Sequence, residues 1–271
     1  MKNPSWDERV RRAEQLAAAY PFAAEILRFY QPVVRFQKEL YAHVRTACGK
    51  PVAKDETGAL REQLDLAALL PRFPLFLSLV ESIGPGPLSR LASELRQEGS
   101  ERWVSLLTEY WRGVGRSEPL PDDPRIFFAR AFLQPYAEYL AEHAEGAIPG
   151  DTPRLCPVCG GRPQAGVLRP EGDGAKRSLL CSVCSTEWDY RRILCPACEE
   201  EDVHKLAVYT AGEFKHIRLE ACDTCRIYIT TVDLTKDGFA VPQVDELAAI
   251  PLSLWAQENG YVKLQPNLLG T

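Results

Sequence analysis

The length and composition of the chain place it among ordinary globular proteins. Its 271 residues are enough for two domains, and 45% of them are hydrophobic and 25% are charged. The net charge of −5 excludes a general electrostatic attraction to nucleic acid or to an anionic membrane.

The N-terminal part of the sequence indicates neither export nor membrane insertion. The longest apolar stretch, residues 66–83, is interrupted by Pro71, Arg72, Pro74 and Glu81, so we expect no membrane span. The first residues lead into a charged helix and do not resemble a signal peptide. We therefore expect a cytoplasmic protein.

Residues 1–150 are predicted to form an all-α domain, because apolar residues recur there at helical spacing. Asp122 or Asp123 can cap a helix that begins at Pro124, since proline suits the first helical position. This half contains no recognisable catalytic constellation, and we predict neither a catalytic residue nor a residue that binds an organic cofactor. The predicted helices cover residues 9–20, 21–49, 57–70, 73–82, 87–98, 100–112 and 124 onward, with Thr57 as the cap of the third.

The segment 146–153 combines small residues with prolines and is predicted to link two halves of different character. Beyond it, short apolar runs alternate with turns, which predicts strands. Asp245 can cap a final helix that Pro251 divides and Asn259 helps to end. The predicted strands cover residues 164–169, 176–180, 206–211, 214–221 and 226–234, the first four as two hairpins.

Eight of the nine cysteines form four Cys-x-x-Cys pairs. In a reducing cytosol such pairs are metal ligands more often than disulfides. Each Cys-x-x-Cys turn directs two thiolates at one point, and two turns complete a tetrahedron. Cys48 stands apart and is predicted to be a helix-end or core residue. The predicted metal ligands are Cys156, Cys159, Cys181, Cys184, Cys195, Cys198, Cys222 and Cys225.

The spacing of the pairs predicts which of them share a metal ion. The first and second pairs are separated by 21 residues and the third and fourth by 23, each enough for a hairpin, whereas 10 residues separate the second and third. Each module thus consists of a turn, a hairpin and a turn. We predict an α+β multidomain protein: an all-α helical N-terminal domain over residues 1–150, then two tandem rubredoxin-like or zinc-ribbon metal modules and a C-terminal helix over residues 151–271.

Four cysteine ligands leave no open coordination position, which argues against hydrolytic chemistry. The ion is then structural or carries one electron. Zn²⁺ and mononuclear iron suit the geometry equally, and the spacing leaves an iron–sulfur cluster open. His204 and His216 could replace a ligand, but each module already has four, and we expect His216 to lie on a strand face.

Three segments are specific enough to indicate a family. They are CSVCSTEWDYRRILCPAC at residues 181–198, LEACDTCRIYITTVDL at residues 219–234, and the tail at residues 245–256 and 264–270. Together they resemble the formate dehydrogenase accessory protein family, FdhE. The resemblance covers residues 151–271 densely, and the helical half is compatible with it in length and type.

The resemblance implies a cytoplasmic accessory protein rather than an enzyme. Its partner would be the immature molybdenum-containing catalytic subunit of formate dehydrogenase, before export by the twin-arginine route. In that family, paired cysteines are associated with rubredoxin-type iron. The resemblance therefore favours two iron ions as cofactors, and zinc is the alternative. The sequence leaves a homodimer open.

Two other functions are consistent with the modules themselves. A redox protein could pass electrons through tetrathiolate iron. A zinc-ribbon protein could bind nucleic acid, but residues 151–271 contain 13 Lys and Arg against 17 Asp and Glu, a net of −4, where a phosphate-binding face would concentrate positive charge.

Overall fold

The computed structural model describes residues 4–48, 63–113, 123–144 and 154–270. The described residues before 145 form only helices, turns and connecting segments, which confirms the predicted all-α region. The predicted cap Thr57 and the alternative cap Asp122 lie outside the described residues. The helices are α1 (Trp6–Ala19), α2 (Ala24–Ala47), α3 (Leu66–Leu69), α4 (Phe73–Ile83), α5 (Gly86–Glu98), α6 (Ser100–Gly113) and α7 (Ile126–Glu142).

Helix starts differ from prediction where side chains outside the apolar stripe fix them. The Asp65 carboxylate accepts a hydrogen bond from the backbone N–H of Ala68, so α3 begins at Leu66, and the prediction of a helix over residues 57–70 was wrong for the described residues 63–65. Ser5 and Glu8 form a capping box, so α1 begins at Trp6 rather than near residue 9. The backbone N–H of Arg125 donates to the Asp123 carboxylate (2.9 Å), and that of Ile126 donates to the Asp123 carbonyl. This turn delays the start of α7 to Ile126, and the prediction of a start at Pro124 was wrong.

Helix α7 is the central helix of this part, since every residue from 128 to 140 is buried. A helix buried on all sides must satisfy its polar side chains internally. Glu138 pairs with Arg9 of α1, and Gln134 accepts a hydrogen bond from Gln37 of α2. The sequence predicted that only one apolar stripe of this helix is buried, whereas the structure buries every side of it between residues 128 and 140.

Residues Leu66–Ile83 are the one stretch of the described chain that could cross a membrane by length and composition. In the structure a 3-10 turn at Leu70–Arg72 divides this stretch between α3 and α4. Phe73, Phe76 and other apolar residues of α4 pack into the core of the helical part.

The strands of the second part are β1 (Pro163–Glu171), β2 (Gly174–Cys181), β3 (Glu187–Asp189), β4 (Leu206–Thr210), β5 (Ile217–Cys222), β6 (Ile227–Asp233) and β7 (Val262–Lys263). They form a single mixed sheet in the described chain, with the strand order β3-β2-β1-β6-β5-β4 and with β7 paired to β6. Both predicted hairpins are present, as β1–β2 and β4–β5, and β5 begins three residues later than predicted. The short strand β3 was not predicted.

A parallel pairing of β1 with β6 joins the two predicted modules, with Ala165 opposite Thr230 and Leu168 opposite Asp233. Gly166 makes this contact possible, because a Cβ there would lie 2.3 Å from the Oγ1 atom of Thr231. The predicted fold class is confirmed, and the structure adds that the two modules share one sheet.

The C-terminal helix is divided in two, α8 (Pro242–Ala248) and α9 (Ile250–Glu258), with Pro251 in the first turn of α9. The prediction that Asp245 is the N-cap was wrong, because α8 begins three residues earlier. Asp245 lies inside α8, where its carboxylate accepts a hydrogen bond from the backbone N–H of Val241 (2.7 Å).

One hydrophobic core continues from the helices into the sheet. Phe132 of α7, Leu179 of β2 and Val244 of α8 belong to the same buried cluster. The predicted linker, residues 146–153, lies outside the described residues, and the division into domains at residue 150 stays a prediction.

Candidate metal centres

The first centre consists of Cys156, Cys159, Cys181 and Cys184, whose sulfur atoms all lie within 4.8 Å of one another. The Sγ atoms of Cys156 and Cys184 are 3.6 Å apart, and those of Cys159 and Cys181 are 3.4 Å apart. Sulfurs at about 2.3 Å from a tetrahedral ion would be about 3.8 Å apart. The four thiols therefore have the spacing that one metal ion needs, and the first two pairs lie together as predicted. That they bind a metal ion stays a prediction.

The second centre consists of Cys195, Cys198, Cys222 and Cys225, again with all sulfurs within 4.8 Å. The Sγ atoms of Cys195 and Cys225 are 3.8 Å apart, and those of Cys198 and Cys222 are 3.7 Å apart. These distances match a tetrathiolate site, and the last two pairs lie together as predicted. In both centres one pair precedes a hairpin and the other follows it.

All four Cys-x-x-Cys turns have the same backbone shape. The residue after the second cysteine of each pair has a positive φ: Gly160 (69°), Ser185 (55°), Glu199 (62°) and Arg226 (58°). This left-handed residue reverses the chain and directs both cysteines inward. Only one of the four positions is glycine, so the other three gave no signal in the sequence.

Backbone N–H groups point at the sulfurs, as thiolate ligands require. Gly161 donates to the Sγ of Cys159 (3.3 Å), Val183 to that of Cys181 (3.4 Å), and Ala197 to that of Cys195 (3.4 Å). Each bond stabilises negative charge on sulfur, and the described chain therefore supplies hydrogen bonds as well as ligands.

Burial opposes ionisation of the thiols in both centres. It raises the pKa of Cys195 to about 11. It also raises the pKa of Cys184, and contacts with the neighbouring thiols add to that effect. Burial works against ionisation of Cys156 too, but hydrogen bonds from Cys159, Cys181 and Cys184 outweigh it and lower its pKa. A bound cation would replace these protons, so metal binding should release them.

The two centres differ in their exposure. All four cysteines of the first centre are buried, whereas in the second Cys198 is exposed and Cys225 is half-buried. The closed tetrathiolate sets are compatible with two metal ions, and the donor set alone suits iron and zinc equally.

Helix α7 holds the first centre from its buried side. The hydroxyl of Ser185, next to Cys184, donates to the Glu138 carboxylate (2.7 Å), which also pairs with both terminal nitrogens of Arg9 (2.9 Å each). Arg130 donates to the carbonyl of Ser182 between the two cysteines (3.5 Å). This support was missed in the sequence, because Glu138 and Arg130 resemble solvent-facing helix residues there.

The structure places the two candidate histidines apart from the cysteines. His204 lies in the exposed 3-10 turn Val203–Lys205. His216 precedes β5 instead of lying on its face, and its Nε2 is 2.7 Å from the Asp245 carboxylate.

Arg12 of α1 also pairs with Asp245 (2.5 Å) and with Asp237 (2.7 Å). The guanidinium of Arg12 already supplies the positive charge in this cluster, which connects α1 to α8.

Comparisons with known proteins agree with this arrangement. The family model described as FdhE, central domain, matches residues 155–192, and FdhE, C-terminal domain, matches residues 193–269. The first model ends between the second and third cysteine pairs, so each model contains one of the two centres.

Relatives extend the similarity over the whole chain. A Protein FdhE homolog from Aquifex aeolicus is 27% identical over 96% of this chain and 94% of its own length. A Protein FdhE homolog from Pseudomonas aeruginosa is 30% identical, over 99% of this chain and 92% of its own length. The crystal structure of the FdhE protein from Pseudomonas aeruginosa matches with a TM-score of 0.73 and 26% identity, over 99% of this chain and 97% of that chain. The chain described here therefore belongs to the FdhE family.

Proposed function

We propose that this protein is an accessory factor needed for active formate dehydrogenase, and that it binds the immature molybdenum-containing catalytic subunit in the cytoplasm before twin-arginine export. The observation that carries the proposal is the family membership, which extends over the helical half as well as the metal centres. A factor that acts on a partner protein needs a stable surface more than a reaction site.

The closed centres support a role other than hydrolysis. Each centre directs four cysteines at one point, so a bound ion would have no free position for water or substrate. Helix α7 and the N–H groups around the first centre favour a structural ion there. We propose two resident ions, with iron favoured over zinc on the family resemblance.

A deletion strain of the encoding organism tests the proposal. We expect loss of formate oxidation, restoration by the wild-type gene, and co-purification of a tagged wild-type chain with the catalytic subunit. Normal formate oxidation in the deletion strain, together with no association, would overturn the accessory role.

A second function, electron transfer, is favoured by the exposure of the second centre. Cys198 reaches the surface, which would allow an ion there to exchange electrons with a partner. Anaerobic purification followed by metal analysis and visible absorption separates the two functions. Iron that bleaches on reduction supports electron transfer, and zinc found after iron-replete anaerobic expression excludes it.

A further inference from the structure

Strand β4 ends the sheet and has an unprotected outer edge. It pairs with β5 only, and no other described strand covers its opposite side. Its sequence, Leu206–Thr210, contains neither proline nor a charged residue, the usual protection of an edge strand. Such an edge offers backbone groups to an extended segment of another protein.

A cavity of about 210 Å³ lies next to this strand, between the sheet and the loop that leads into the third cysteine pair. Three of its apolar lining residues are unusually exposed: Ile193 (48%), Val203 (56%) and Val208 of β4 (53%). The cavity reaches Cys195 and Cys222 of the second centre. An apolar side chain in it would cover exposed apolar surface and lie against that centre.

Guanidinium groups outnumber carboxylates in the cavity lining. Its lining contains three arginines and one acidic residue, Glu220. Arg177 and Arg218 share the Glu220 carboxylate, at 2.7 and 2.5 Å. Arg192 forms no ion pair with a described residue and donates to the carbonyl of Ala175 (3.1 Å). The buried Nε of Arg177 has no hydrogen-bond partner in the described chain.

We propose that β4 and this cavity together bind an extended segment of the partner protein that combines an apolar side chain with a carboxylate. The segment adds a strand to β4, its apolar side chain enters between Ile193 and Val208, and its carboxylate meets Arg192. This inference rests on the proposed function, because it takes the formate dehydrogenase catalytic subunit as the partner.

Binding of the purified catalytic subunit to full-length variants tests the surface. Val208→Lys places a charge on the edge strand and Arg192→Glu reverses the charge at the cavity, and each should weaken binding about tenfold or more. Leu254→Lys is the matched control, because Leu254 is also 53% exposed but lies in α9, outside the cavity lining. Thermal unfolding and metal content should stay unchanged in all three.

The outcomes distinguish an error in the proposed binding surface from an error in the proposed function. If the wild type binds the subunit and both cavity variants bind equally well, the surface is wrong and the accessory role stands. If the wild type itself does not bind, the proposed function fails. Light scattering adds a third outcome: a wild-type dimer that Val208→Lys converts to a monomer would identify a second copy of the chain as the occupant and overturn the proposal.

Discussion

The two metal centres have the same ligands and the same turns but different surroundings. The first is buried beneath α7, with Glu138 bonded to Ser185 just after the second cysteine pair and Arg130 bonded to Ser182 within that pair. The second lies at the surface, with Cys198 exposed and a cavity beside it. One cysteine pattern thus occurs in two environments, one buried in the core and one partly exposed at the surface.

The largest expected difference is between Cys181→Ser and Cys198→Ser. Structural metal contributes on the order of 10 kcal/mol, comparable with the whole stability of a domain. Because the first centre belongs to the shared core, Cys181→Ser should unfold much of the protein, whereas Cys198→Ser should lose one ion and leave the helices folded. Metal analysis measures the loss of ions, and circular dichroism on heating measures the loss of helical structure. Equal behaviour of the two variants would contradict the comparison.

Glu138→Gln tests the attachment of the first centre to the helices. The variant leaves Arg9 buried without a carboxylate, which should lower the free energy of unfolding by about 3–5 kcal/mol. Denaturant titration measures this change in the free energy of unfolding. The control Glu14→Gln breaks an exposed pair with Arg35 and should change stability by less than about 1 kcal/mol. If the two variants are equally stable, the buried pair does not hold the centre.

Gly161→Ala introduces a methyl group into the first centre. Its Cβ would lie 3.0 Å from the Sγ of Cys181 and 3.2 Å from that of Cys159, so we expect a loss of about 1–3 kcal/mol and weaker binding of the first ion. Gly212→Ala is the control, because no atom lies within 4 Å of that Cβ. Competition with a chelator, followed by metal analysis, should show one weakened site in the first variant and none in the second.

Two glycine substitutions should give the smallest effects, with opposite signs. Glu199→Gly relieves a left-handed backbone in the second centre and should raise stability by up to about 1 kcal/mol. Ser185→Gly relieves the same backbone in the first centre but removes the hydrogen bond to Glu138, so stability should fall by about 1–2 kcal/mol. Thermal unfolding of both variants measures the two changes in stability. A gain in both would show that the Ser185 contact contributes little.

Local patterns predicted much of this structure. The matched spans between cysteine pairs were sufficient to assign both centres, because each hairpin returns the chain to its starting point. Helical periodicity located most of the helices within a few residues. These features depend on residues that are close in sequence.

Features that depend on distant contacts could not be predicted. Nothing near Ala165 indicates that β1 pairs with β6, and nothing near Glu138 indicates that Arg9 will neutralise it. His216 was assigned to a strand face because Asp245 and Arg12 are absent from its local sequence. A polar residue in an apolar helix resembles a solvent-facing one until its partner is known.

The pairing of Arg12 with Asp245 has a consequence for the order of synthesis. Arg12 leaves the ribosome well before its partner, which follows 233 positions later. At roughly 5–20 residues per second, α1 waits on the order of ten seconds or more for that partner. Helix α1 can therefore form this contact only after Asp245 has been synthesised, and a chain terminated before Asp245 would leave α1 without this anchor.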